Sequence, residues 1–252
     1  MPMNPTSQAA IQHVLSLLQV KAVSCGKERI GGAHDGGYVM ASKFSGGSIA
    51  YSIGVGPQIQ WDRAMAERGF SIFQYDHTVE GLPEQHELFN YFRLGIAPQD
   101  TPPDLITLEE MIRRNGHTEE TGMILKMDVE GAEWDVFDAI DPAILRQFDQ
   151  IVVEFHGLRL LEIESFRDRA ERVFSKLVHH HSPVHIHGNN YADYAIVEGV
   201  PIPDVIEVLY CRRDRFDFEP SHEVFPTALD DPCDPNHPDL FLGSFRFKRI
   251  AA

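Results

Sequence analysis

The chain has 252 residues, 43% hydrophobic and 24% charged, the balance of an ordinary globular protein long enough to bury a sizeable core. Its net charge of -16 is spread along the sequence, and a surface of that sign repels polyanions and anionic membranes. Nucleic acid and membrane are thereby excluded as expected partners, since the densest basic cluster, Arg212-Arg213-Asp214-Arg215, is short and interrupted by acid.

The start, Met-Pro-Met-Asn-Pro-Thr, lacks the basic and apolar regions of a signal peptide, and no apolar run is long enough to cross a bilayer. Cys25, Cys211 and Cys233 fall in no metal spacing and cannot all pair, so reduced thiols in a cytoplasmic protein are expected. Thr6 can cap a first helix whose Ile11, Val14, Leu15 and Leu18 recur at helical spacing. Residues 29–40 hold four glycines before a short strand. Two readings stay open there: a turn joining the first helix to the core, or a segment that brings Asp35 and Tyr38 over a cofactor mouth.

The organising stretch is Ile49-Ala-Tyr-Ser-Ile-Gly-Val-Gly-Pro57, a buried strand running into a glycine turn. A helix follows over 59–68, ended by Gly69, and a second strand over 71–75 leads to Asp76. Asp76 lies 22 positions after Gly54, where a nucleotide-binding βαβ unit places the carboxylate for ribose hydroxyls. Gly54, Val55, Gly56, Asp76 and His77, with Asp35, are the expected cofactor contacts. A dinucleotide fingerprint needs a third glycine, and Ile59 holds that position. The loop therefore suits a ligand that offers one carboxylate to a helix N-terminus, as S-adenosylmethionine does.

A third strand is expected within 87–96, a loop over 100–104 with Pro102 and Pro103, and a short helix over 105–115. The fourth strand, 123–128, precedes Val129-Glu-Gly-Ala-Glu133 and a helix from Trp134; Asp141-Pro142 is a cap and first-turn pair for another. The fifth strand is 150–154. The longest helix, 162–178, presents Ile163, Phe166, Ala170, Val173, Phe174 and Leu177 on one face, and His179-His180-His181 follow as a surface run. Runs 194–197 and 205–210, separated by Pro201 and Pro203, suggest a hairpin. Beyond 216 the tail is proline-rich, and alternating Phe241, Phe245 and Phe247 suggest an edge strand that ties it down.

Strands alternating with helices argue an α/β fold with a mostly parallel sheet, closed by a late antiparallel pair. One domain is expected: residues 1–48 with the N-terminal helix and DGGY segment, 49–213 the core, and 214–252 an irregular tail. Ligands bind at the carboxyl ends of such strands, so Asp128, Glu154 and His156 are the candidate catalytic groups. Glu130, His187, Asn189 and Asn190 are the candidate acceptor contacts. The opposing reading makes Asp128 or Glu130 a helix cap and pairs Glu154 with backbone. Asp128, Glu154 and His156 could also ligate a metal, but nothing in their spacing fixes a geometry and none is assigned.

Leu125-Lys-Met-Asp-Val-Glu-Gly-Ala-Glu133 resembles the signature of FkbM-type S-adenosylmethionine-dependent methyltransferases. Arg29-Ile-Gly-Gly with Asp35-Gly-Gly-Tyr38, Tyr51-Ser-Ile-Gly-Val-Gly56, Tyr75-Asp76, Val184-His-Ile-His-Gly-Asn-Asn190 and Pro203-Asp-Val-Ile-Glu207 extend the likeness over about 29–213. The resemblance implies a Rossmann-like class I methyltransferase fold, with a seven-stranded sheet, an antiparallel last strand and flanking helices. It also implies methyl transfer, usually to an oxygen of a sugar or small metabolite. Two departures stand out: Tyr51-Ser52 where class I enzymes often carry an acid, and Asp76-His-Thr78 where Asp-Pro-Thr is usual. An NAD(P)-dependent oxidoreductase and a non-catalytic ligand-binding protein on the same fold are the alternatives.

Overall fold

The computed structural model describes residues 5–44, 46–101 and 103–248, the side chains of 5 and 6 excepted. The cap expected of Thr6 and the place of Pro102 lie outside what is described. The chain opens with α1 (Pro5–Ser16), β1 (Lys21–Val23), β2 (Lys27–Ile30) and β3 (Tyr38–Ala41). The core begins with β4 (Ile49–Ile53), α2 (Gln60–Glu67), β5 (Ser71–Tyr75), β6 (Phe89–Phe92), β7 (Gly95–Ile96) and β8 (Leu105–Ile106). Then come α3 (Leu108–Arg114), β9 (Met123–Met127), α4 (Glu133–Ala139), α5 (Pro142–Leu145), β10 (Phe148–His156), a 3-10 turn (Leu158–Glu162) and α6 (Glu164–His180). The chain continues through β11 (His181–Gly188), β12 (Tyr194–Val197), β13 (Val200–Pro203), β14 (Val205–Arg212) and β15 (Phe218–Pro220).

Seven strands form the main sheet in the order β11-β14-β10-β9-β4-β5-β6. From β6 to β10 the strands are parallel, and β14 lies antiparallel between β10 and β11. The expected α/β fold with an antiparallel last strand is the one adopted. Period-two alternation feeds two cores. Tyr51, Ile53, Leu125 and Met127 join Trp134, Phe137 and Phe174 on one face, while Ala50, Ile72 and Ile124 meet Trp61 and Met65 on the other. Helix α6 buries Phe166, Ala170, Val173, Phe174 and Leu177 as expected, but Ile163 precedes it as cap residue and is exposed. Asp141 caps α5 as its sequence demands, accepting from the Ala143 N–H, with Pro142 in the first turn.

Several expectations are corrected. The third strand stops at Phe92; Gly95–Ile96 instead pairs in parallel with Leu105–Ile106, so helix α3 starts only after Thr107, whose hydroxyl caps it. The late hairpin is between β12 and β13, with Pro201 and Pro203 inside a strand of a two-stranded side sheet, where a missing N–H is tolerated. β14 joins the main sheet instead. Of the three histidines, His181 is fully buried and holds the Phe148 carbonyl at 2.9 Å. The tail gains order through β15, paired with β1, and through a bridge between Phe225 and Gly243. No strand forms over Phe241–Phe247: Phe241 is exposed while Phe245 is buried against Phe247. Among the described residues, no helix is long and apolar enough to cross a membrane.

Candidate active site

The chain turns outward from β4 to β5 on one side and to β9 and β10 on the other, so a crevice opens where the order reverses. A cavity of about 470 Å³ lies there, within the range of small-molecule sites. Gly54–Gln58, Asp76–Thr78, Gly95, Ile96, Asp128–Glu130, Glu154 and His156 line it, with Asp35, Asn189 and Tyr191 from other segments.

The glycine loop is shaped by two different constraints. Gly54 has φ +76°, and a Cβ there would stand 1.5 Å from the Asp128 carbonyl oxygen. The neighbouring strand end alone therefore requires a glycine here, at a position that also lines the cavity. Gly56, at φ +56°, has open space around its missing side chain and does leave room for a ligand. The loop is held by Asp76, whose Oδ2 accepts from the N–H groups of Val55 at 3.0 Å and Gly56 at 2.9 Å. Its Oδ1 accepts from the Thr78 N–H at 2.7 Å and hydroxyl at 2.6 Å. Burial opposes the charge on Asp76, but these bonds outweigh it and keep the carboxyl below its usual range.

The segment between β2 and β3 does fold over the crevice. Asp35 lines the cavity and accepts from the Gln58 amide at 2.8 Å, while Tyr38 donates to Asp128 Oδ2 at 3.2 Å. Burial, with the charges of Asp128 and Glu207, raises the Asp35 carboxyl against that hydrogen bond. Lys126, buried beneath, donates to the Gly54 carbonyl and lies 3.8 Å from Asp128. Asp128 caps no helix; neither does Glu130, whose left-handed backbone, φ +55°, leaves its side chain at the cavity wall.

His156 stands at the centre of the acids. Its Nδ1 donates to the fully buried Glu133, which also accepts from the His156 and Gly131 N–H groups. A carboxylate only accepts, so Nδ1 carries the proton and Nε2 is left facing Glu130 at 3.4 Å, Glu154 at 3.5 Å and Asp128 at 3.9 Å. Burial works against the imidazolium, yet the bond to Glu133 and the charges of Asp128 and Glu130 raise the His156 pKa. Glu154 accepts from the Asn189 amide at 2.7 Å, and its Oε2 is buried without a partner. Burial first, then Asp128 and Glu207, push its carboxyl well above the usual range.

Two expected acceptor contacts do not reach the cavity. His187 is fully buried, and its two ring nitrogens donate to Glu207 at 3.2 Å and Asp239 at 3.0 Å. Both partners are carboxylates, so the ring is an imidazolium locked in an ion triad with no lone pair to offer. Asn190 is a clamp: its amide donates to the carbonyls of Asp234, His237 and Pro238, and its oxygen accepts from the Asp234 N–H. Glu130 and Asn189 do line the site. Sequence reasoning missed the roles of Glu133, Gln58, Thr78 and Tyr191; Glu133, in its signature stretch, and Thr78, in the Asp76-His-Thr78 run, carried a signal.

A model of the methyltransferase FkbM domain matches residues 32–180. No curated protein matches the chain. Among solved structures, a provisionally named methyltransferase from an antibiotic biosynthesis pathway of Anabaena variabilis shares 15% identity at a TM-score of 0.28. That match covers 50% of this chain and 49% of that one, so the chain spans about half the length of that protein. A provisionally named hemolysin from Streptococcus thermophilus shares 12% identity at a TM-score of 0.37, over 94% of this chain and 93% of that one. The family match runs from the glycine-rich segment over the crevice to the end of α6, more than half the sequence, and places the chain in the FkbM methyltransferase family.

Proposed function

We propose that the chain transfers a methyl group from S-adenosylmethionine to a hydroxyl of a sugar or other small metabolite. The observation that supports this most is the charge of the cavity. Asp35, Asp76, Asp128, Glu130 and Glu154 line it, and among the described residues no lysine or arginine does. Such a wall repels a pyrophosphate and attracts a sulfonium or ammonium cation, which disfavours a dinucleotide.

The residues fit that cofactor. Gly56 lines the cavity and leaves open space there, which suits the close approach of the methionine moiety to the backbone. All four acceptor positions of Asp76 are engaged by its own chain, so a ribose hydroxyl would replace the Thr78 hydroxyl on Oδ1. Tyr38 and Lys126 hold Asp128 in place beside the reacting centre. When bound, the cofactor supplies the electrophilic carbon. Asp128, Glu154 and His156 would orient the acceptor hydroxyl and receive its proton, with Glu133 fixing the imidazole. Asn189 and Tyr191 bound the acceptor side. Free Cys25, Cys211 and Cys233 suit a reducing, cytoplasmic setting.

The test is release of S-adenosylhomocysteine by the purified chain across a panel of sugars and hydroxylated metabolites. Turnover with one acceptor, lowered about 100-fold or more in Asp128→Asn, supports the reading. Cofactor binding without turnover on any acceptor would favour a ligand-binding protein.

A further inference from the structure

We propose that Asp128, Glu130 and His156 form a site for one divalent cation, Mg²⁺ or Mn²⁺, at the acceptor end of the cavity. Placing it at the acceptor end rests on the methyltransferase reading; the ion site itself does not. Carboxylate oxygens and His156 Nε2 from these three residues lie within 4.8 Å of one another. Hard oxygen donors with one imidazole are the ligand set of such ions. Ligands on metal bonds of about 2.1 Å stand roughly 3 Å apart in an octahedral site. The present spacings of 3.4 Å from Nε2 to Glu130 and 3.9 Å to Asp128 need to close by less than an ångström.

Two further features point the same way. Glu133 takes the Nδ1 proton of His156 from a fully buried position, which fixes the tautomer and leaves Nε2 as a ligand, the carboxylate–histidine arrangement found behind metal-binding imidazoles. Independently, Glu154 is 3% exposed, lines the same cavity, and has an oxygen, Oε2, without a partner. A water or hydroxyl carried by an ion on Asp128 and His156 would donate to it. Among the described residues Lys126 is the cation beside Asp128, and it is occupied by the Gly54 carbonyl.

An ion with three protein ligands keeps open positions toward the cavity, which suits an acceptor with two adjacent oxygens, such as a vicinal diol. With Nε2 and Asp128 on the ion, these two groups would hold the metal and orient the acceptor, and of the three groups named for the proton Glu154 is the one left to receive it. The second donor group, His187, Glu207 and Cys233, is disfavoured because both ring nitrogens of His187 are held by carboxylates, and it serves as the location to test against.

The experiment is titration of chelator-treated full chain with Mn²⁺, read as loss of the free-ion signal in electron paramagnetic resonance. One ion per chain is expected, with binding weakened about tenfold or more in Asp128→Asn and Glu130→Gln. Circular dichroism confirms that both variants fold. Glu80→Gln, an exposed acid elsewhere, and Cys233→Ser are expected to leave binding unchanged. Absence of binding, binding indifferent to both site variants, or loss in Cys233→Ser would each overturn the site. Calorimetry with S-adenosylmethionine, with and without chelator, separates the two readings: cofactor binding without Mn²⁺ binding removes only the ion.

Discussion

Gly54→Ala and Gly56→Ala make a paired test of how the site is built. Both residues lie at positive φ, +76° and +56°, so either alanine incurs about 1–2 kcal/mol for the left-handed backbone. At Gly56 nothing stands within 4 Å of the new Cβ, and the loss stops there. At Gly54 the Cβ would lie 1.5 Å from the Asp128 carbonyl oxygen and 2.6 Å from its carbon. Both are backbone atoms at the end of β9, held by the Asp128 N–H to Ile53 carbonyl bond at 2.9 Å, so no side-chain rotation relieves the clash. Overpacking of this kind adds about 1–3 kcal/mol, giving a total near 4 kcal/mol for Gly54→Ala. Urea unfolding at 25 °C, followed by far-ultraviolet circular dichroism, reads both variants. In thermal melts the two losses correspond to drops of about 5 °C for Gly56→Ala and about 12 °C for Gly54→Ala. Equal losses would refute the assignment of Gly54 to strand contact.

Asp76→Ala orphans the Val55, Gly56 and Thr78 N–H groups, and is expected to cost about 3 kcal/mol and to loosen the glycine loop; urea unfolding checks it. His181 is buried, and burial lowers its pKa to about 4 from 6.5. The unfolded chain therefore takes up a proton that the folded one refuses, and stability falls by about 3 kcal/mol as pH drops from 6.5 to 4. Urea midpoints across that range should slope less in His181→Gln, and an unchanged slope would contradict this. Asp141→Ala should destabilise by about 1 kcal/mol through loss of the α5 cap. Asn190→Ala should speed tryptic cleavage of the tail while leaving cofactor affinity within about twofold, because its bonds go to 234–238 and not to the cavity.

What was legible in the sequence was local. The run from Ile49 to Asp76 states its strand, turn, helix and strand through apolar periodicity, glycine and spacing, and each element lies within a residue or two of its expected place. The Asp141-Pro142 cap was equally plain. Failures came where the partner is distant in sequence. Residues 95–96 look like the end of a third strand, yet they pair with 105–106 because the chain doubles back there. His187 lies in the last residues of β11 and Asn190 just beyond it, where functional residues gather, but the tail folds over them and Asp239 and the 234–238 carbonyls take their polar groups. Glu133 was visible only as part of a signature; its partner, His156, lies 23 residues on and is brought to it by β10.

Calorimetric titration of the purified chain with S-adenosylmethionine, S-adenosylhomocysteine and NAD(H) in parallel tests the methyltransferase reading most directly. Micromolar binding of the first two, with none of NAD(H), is the predicted result, since an acidic cavity that no lysine or arginine lines among the described residues favours a cation over a pyrophosphate. Binding of NAD(H) alone would contradict it.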